Sequence, residues 1–324
     1  MRAAVCRAYG PPEDLTVEDL PIPVAGPGEV LVKIKAAAVN FPDVLLLANQ
    51  YQVSVPLPFT PGSEFAGEVM GLGDGVDQFA VNDHVFGAVM NGAFAEYDVV
   101  PASGLMLAPP GVELATLAGF WVAHGTAYHA LRSVAEVQPG DWVVVLGAAG
   151  GVGLAAVELA QLLGGRVIAA ASTAEKLELC RQRGAEHVVN YVDEDLRDGI
   201  RAATKAGADV VIDPVGGPFA ERALRAMRFG GRFVTVGFAS GEIPRIPLNL
   251  VLLKGMVIKG FEMRTFGDNA PQLAERDRTE LLAMLADGRI SPHVSSVHTL
   301  EDAAVALRLV AERRAEGKVL ITLE

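Results

Sequence analysis

Four glycines, at 147, 150, 151 and 153, lie within WVVVLGAAGGVGLAAVELAQLLGGRVIAAAS, residues 142–172. An apolar run leads into this turn, an alanine-rich run of about a dozen residues follows it, and a second apolar run ends at Ser172. Glycines so placed let the backbone leave a strand sharply and come close to a pyrophosphate. A helix beginning near Gly151 would then aim its unpaired N–H groups at the phosphates. The spacing is a variant of G-x-G-x-x-G, with Ala148 in place of the first glycine and Gly150 and Gly153 in the other two places. The second strand ends without the acidic residue that pairs with ribose hydroxyls. Ser172 stands there instead, and Lys176 follows four residues later. A hydroxyl and a cation suit a phosphate better than a diol.

The remaining chemistry-bearing types are sparse. Cys6 and Cys180 are the two cysteines, too few for a thiolate cage or a disulfide framework. The histidines stand at 84, 124, 129, 187, 293 and 298. Only His124 and His129 are close in sequence, and a five-residue spacing is not the i, i+4 pairing that sets two ligands on one helix face. They read as satisfied or solvent-facing side chains. A net charge of −12, from 27 basic and 39 acidic residues, argues against nucleic acid and anionic membranes as partners. No apolar run reaches the ~20 residues of a membrane span, and the first residues do not form a secretory leader, so a cytoplasmic location is expected.

The elements that must hold these residues change character along the chain. Residues 1–122 are short β segments broken by Pro and Gly, the pattern of a β-barrel-like domain. From 123 to 259, six strand candidates alternate with helical stretches, which implies a doubly wound parallel sheet of the Rossmann type. Two amphipathic helices, near 272–287 and 300–316, precede a last strand, KVLITL. That strand is too isolated to found a domain, so residues 260–324 are expected to return and complete the first one.

End to end the chain resembles the medium-chain dehydrogenase/reductase superfamily, in its zinc-free quinone oxidoreductase (zeta-crystallin-like) branch. The resemblance is carried by GPPEDLTVEDLPIPVAGPGEVLVKIKAAAVNFPDVLL, PFTPGSEFAGEV, GDGVDQFAVNDHVFG, HGTAYHAL, the glycine turn and EGKVLI. It implies an α/β protein with a GroES-like β-barrel catalytic domain and a Rossmann domain. Zinc-dependent members take a cysteine where this chain reads Val39-Asn40-Phe41-Pro42-Asp43, and a histidine where it reads Gly62-Ser63-Glu64.

The resemblance further implies NADPH as cofactor, with Tyr191 joining Ser172 and Lys176 at the 2′-phosphate. It adds Asn40, Thr126, Gly151, Val152, Val215, Phe238, Ser240 and Lys318 to Gly150 and Gly153 as cofactor contacts. Asn40, Asp43, Tyr51 and Thr126 are placed at the reacting centre. Without a Lewis acid, an electron-poor quinone or an α,β-unsaturated carbonyl is the plausible hydride acceptor, whereas a simple alcohol is not a plausible donor. Two other readings stay open: an enoyl-thioester reductase of the same superfamily, and a non-catalytic, structural NADPH-binding protein. The strand MVIKGFEM is expected to expose an apolar edge that pairs with a second copy to make a homodimer.

Overall fold

The structure, a computed structural model, describes residues 1–323. The N-terminal part contains β1 (Arg2–Val5), β2 (Thr16–Asp19), β3 (Glu29–Val39), α1 (Phe41–Leu47), β4 (Glu64–Leu72), β5 (His84–Ala88), β6 (Tyr97–Pro101), β7 (Leu105–Leu107) and α2 (Leu114–Ala118). Next come α3 (Thr126–His129), β8 (Trp142–Leu146), α4 (Gly151–Leu162), β9 (Arg166–Ala171), α5 (Ala174–Gln182), β10 (His187–Asn190), α6 (Leu196–Thr204) and β11 (Ala208–Asp213). After these follow α7 (Pro218–Ala226), β12 (Met227–Thr235), α8 (Leu248–Lys254), β13 (Val257–Gly260), α9 (Met263–Asn269) and α10 (Pro271–Ala286). The chain closes with β14 (Val294–Thr299), α11 (Ala303–Ala311) and β15 (Lys318–Thr322).

Two compact units result: Met1–Val122 together with the residues from Ser291 onward, and Ala123–Ile290. The return to the first unit therefore comes at Ser291, not at 260. The reason is a long-range contact: α10 is tied to the second unit by its buried Asp277, which accepts from His129 Nδ1 at 2.9 Å and from Ser133 Oγ at 2.5 Å. The first of these bonds also accounts for His129 as a satisfied side chain. Neither α9 nor β14 was expected from sequence. In β14, VSSVHT, Ser, His and Thr interrupt the apolar signal of what is an edge strand of its sheet.

The first unit is built on β3. Its burial alternates along Glu29–Lys35 and becomes continuous over Ala36–Val39, so the strand changes from one covered face to two. On one side it pairs with β4 along most of its length, and on the other its first half pairs with β6 and its last residues with β15. The last strand does return to this sheet, and Leu307, Val319 and Ile321 share a core with Ile34, Phe65 and Phe94.

The second unit carries six parallel strands in the order β10-β9-β8-β11-β12-β13. Strands 8, 9 and 11 are almost wholly apolar because helices cover both faces of such a sheet. The order reverses direction between β8 and β11, and ligands of open α/β sheets bind at the carboxyl ends beside such a switch point.

Candidate active site

In the second unit the glycine turn takes the form the sequence required. Gly147 has φ +57°, and a Cβ on Gly153 would stand 2.2 Å from the Gly147 carbonyl oxygen, so the turn packs directly on the first turn of α4. Helix α4 begins at Gly151 after Gly150, and no side chain caps it. Within the turn, Gly150 N donates to Gly147 O at 3.0 Å and Leu154 N to Gly150 O at 2.8 Å. The N–H groups of Gly151, Val152 and Gly153 precede the first intrahelical donor, Leu154 N, and form the kind of cradle a pyrophosphate needs.

Two further loops close on this turn. A Cβ on Gly147 would lie 2.7 Å from Val215 Cγ2, one on Gly216 would lie 2.8 Å from Phe238, and one on Gly217 would lie 2.8 Å from Ser240 Oγ. Ser240 N also donates to Val215 O at 2.8 Å. Gly150, Gly151, Val152, Gly153, Val215, Phe238 and Ser240 are thus brought to one end of the sheet. The loop after β11 is fixed by a residue sequence reasoning missed, Asp213. Its Oδ1 accepts from Val215 N and Gly216 N, both at 2.8 Å, and burial raises its carboxyl pKa.

Ser172 follows β9 directly, and Thr173 caps α5 by accepting from Lys176 N at 3.3 Å. Tyr191 comes directly after β10, its N–H donating to Ala171 O at 3.2 Å and its ring 4.5 Å from that of Phe219. Ser172, Lys176 and Tyr191 therefore sit at the carboxyl ends of two adjacent strands. Thr126 opens α3, and a wide π-type turn, Ala130–Val134, follows it.

In the first unit, strand register assembles a second constellation. Val319 is opposite Val39 and Glu64 is opposite Ala38, which delivers Lys318, Asn40 and Glu64 to one end of three adjacent strands. Lys318 Nζ donates to Asn40 Oδ1 at 2.6 Å and to Glu64 Oε2 at 2.9 Å. Glu64 Oε2 also accepts from Asn40 Nδ2 at 3.1 Å, and its Oε1 from Val122 N at 2.7 Å. Lys318 is 4% exposed and Glu64 0%, so this is an ion pair withdrawn from water with all its atoms engaged.

Asn40 is the junction. Its Oδ1 is committed to Lys318, while beyond Glu64 its Nδ2 has only long partners, Ala38 O and Ser63 Oγ, each at 3.4 Å. One N–H thus remains able to serve a better acceptor. Asp43, in the first turn of α1, reaches back so that its Oδ2 accepts from Asn40 N at 2.7 Å. Pro42 is tolerated beside it because a helix's first turn needs no donor.

Glu64 and Ser63 were missed as functional residues, though the signal was the Gly62-Ser63-Glu64 segment itself. Gly62, at φ +99°, lets Phe94 N come within 2.7 Å of where a Cβ would stand. Tyr51 packs as a half-buried ring against the first unit's core. Among the described residues, no group of three or more His, Cys, Asp and Glu side chains could hold a metal ion. An amide and a hydroxyl, Asn40 and Ser63, occupy the places where zinc-dependent relatives would need thiolate and imidazole. These residues do not fit zinc.

Comparison with known proteins gives this arrangement its context. Residues 26–110 match the model of the alcohol dehydrogenase GroES-like domain, and residues 151–278 that of the zinc-binding dehydrogenases. A quinone oxidoreductase-like protein 2 from Bos taurus is 38% identical over 326 residues, spanning 100% of this chain and 93% of its own. The chain belongs to the medium-chain dehydrogenase/reductase superfamily. Within it the chain stands in the quinone oxidoreductase branch, and it is an oxidoreductase.

Two solved structures of this superfamily superpose over nearly the whole chain. An NAD-dependent alcohol dehydrogenase is 33% identical, with a TM-score of 0.91 and 100% of both chains covered. The Escherichia coli quinone oxidoreductase complexed with NADPH is 27% identical, with a TM-score of 0.93, covering 99% of this chain and 100% of its own. Among the described residues no helix is long and apolar enough to cross a membrane.

Proposed function

We propose that this reductase takes NADPH and transfers its hydride to a quinone or an α,β-unsaturated carbonyl without a metal. The observation that carries the reading is the buried Lys318–Asn40–Glu64 cluster with Ser63 beside it. It offers an amide N–H and a hydroxyl, and its one cation is held in an ion pair. Such a set can stabilise negative charge developing on an acceptor oxygen, but it cannot turn an alcohol into an alkoxide at neutral pH.

Bound NADPH would supply the hydride; everything else falls to the chain. The N–H groups of Gly151, Val152 and Gly153 would hold the pyrophosphate, with Val215, Phe238 and Ser240 lining the same end of the sheet. Ser172, Lys176 and Tyr191 would take the 2′-phosphate. Asn40 would orient the acceptor carbonyl through its second N–H, with Thr126 and Tyr51 helping to shape the site. Lys318, occupied by Asn40 and Glu64, would fix Asn40 and bring positive charge to the cluster. The reading includes a cytoplasmic homodimer paired through β13, the edge strand where Val257 and Ile258 are exposed.

Steady-state turnover with NADPH and a panel of quinones, enones and enoyl thioesters, alongside ethanol with NADP, tests the function. Quinones or simple enones should be reduced and ethanol left untouched, with chelators having no effect. Alcohol oxidation at a comparable rate, or turnover lost on chelation, overturns the reading. A strong preference for thioesters would favour the enoyl-thioester reductase.

A further inference from the structure

Tyr191, read above as a contact of the cofactor's 2′-phosphate, stands where an edge strand runs out into an exposed turn. Strand β10 lies at the edge of its sheet, Asp193 N and Glu194 N both donate back to Asn190 O, and Val192 is 68% exposed. The Tyr191 N–H is anchored on Ala171 O at 3.2 Å, which places its backbone beside Ser172. A backbone bond does not set χ1 and χ2, and these torsions decide where the phenol hydroxyl points.

The ring itself is met by Phe219. Their centroids are 4.5 Å apart with planes inclined at 49°, a close and tilted aromatic pair, and both rings pack on the second unit's core. Phe219 is presented from a firm backbone. It is the second residue of α7, directly after Pro218, whose ring fixes the first helical φ. Before them Gly217 has φ +59°, and a Cβ there would stand 2.8 Å from Ser240 Oγ, so the start of α7 is pressed against the loop that carries Ser240. Ala220, 0% exposed, anchors the next position of the helix in the core. The side chain of Phe219 has no group that can bond a phosphate, so any influence it has on one must pass through the tyrosine it touches.

We propose that Phe219 is a positioning residue for cofactor choice: its ring holds that of Tyr191 so that the phenol hydroxyl is presented to the 2′-phosphate, favouring NADPH over NADH. The role rests on the reading of Ser172, Lys176 and Tyr191 as the 2′-phosphate site. A hydrogen bond to a phosphate depends on distance and angle, and a ring already held in place makes it without the entropy loss of being ordered on binding. NADH lacks that phosphate and gains nothing from the arrangement.

The test measures Kd for NADPH and for NADH by cofactor fluorescence in wild type, Tyr191→Phe, Phe219→Ala and the double variant. Tyr191→Phe should weaken NADPH about 10-fold, the scale of a hydrogen bond to a charged group, and leave NADH within about twofold. Phe219→Ala should weaken NADPH about 3- to 10-fold, the cost of ordering a loosened side chain, again sparing NADH, and should add nothing once the Tyr191 hydroxyl is gone. Phe219→Leu, which keeps apolar bulk on the core but no ring, gives the same readout if Phe219→Ala fails to fold. Equal losses for both cofactors, an unchanged Kd for NADPH, or a full Phe219 effect in the Tyr191→Phe background overturns the proposal. If Tyr191→Phe weakens NADPH and the Phe219 variants do not, the positioning role alone falls. If Tyr191→Phe leaves NADPH unaffected, the assignment of Tyr191 to the 2′-phosphate falls with it.

Discussion

Removing Lys318 strands a carboxylate in the core of the first unit. In Lys318→Met, Glu64 keeps Val122 N at 2.7 Å and Asn40 Nδ2 at 3.1 Å but loses the ammonium at 2.9 Å, while remaining wholly enclosed. Breaking one side of a buried pair costs about 3 to 5 kcal/mol, because the charge left behind is neither solvated nor compensated. Glu64→Gln reverses the situation by leaving the ammonium without an anion, and should cost a similar amount. The double variant strands no charge. It should therefore be no less stable than either single variant, giving a coupling of at least about 3 to 5 kcal/mol in the cycle. Urea unfolding of the four proteins without nucleotide measures this directly. Effects that simply add, or single-variant losses below about 1 kcal/mol, would refute the view that the cluster is a closed ion pair whose partners depend on each other.

Lys176→Ala should weaken NADPH about 10- to 100-fold and leave NADH nearly unaffected, since a charge-assisted contact to phosphate contributes about 1.5 to 3 kcal/mol. Titration by cofactor fluorescence checks this, and equal losses for both cofactors would make Lys176 structural. Asp43 holds its proton more tightly folded than unfolded, so the stability it contributes is full below pH 4 and is lost as pH rises through about 7. Wild-type stability should therefore fall relative to Asp43→Asn by about 2 to 3 kcal/mol between pH 5 and 8, and a difference independent of pH contradicts it. Light scattering at micromolar concentration should give twice the 34.0 kDa chain mass, and a monomer mass rules out pairing through β13.

The dinucleotide half of the site was legible because its determinants are local. A pyrophosphate cradle needs a strand, a turn with positive φ and a helix N-terminus within about ten residues. The glycines at 147, 150, 151 and 153, together with the apolar runs around them, state all three. The parallel sheet was equally legible, because strands covered on both faces read as unbroken Val, Ile and Ala. The boundary at Ser291 was not, since it depends on Asp277 meeting His129 and Ser133, partners more than 140 residues away.

The same limit governed the reacting centre. Sequence could say that Asn40 and Ser63 stand where metal ligands are missing and that Lys318 belongs to the site. It could not say that Glu64 lies between them or that Asp43 is sealed from water. Asn40 and Lys318 are 278 residues apart, and only the register of β15 on β3 sets them 2.6 Å from each other. Residue type and short-range spacing fix which groups are available and how the backbone turns around them. Which charges meet, and which acid is kept neutral, follows from burial, a property that non-local packing alone confers.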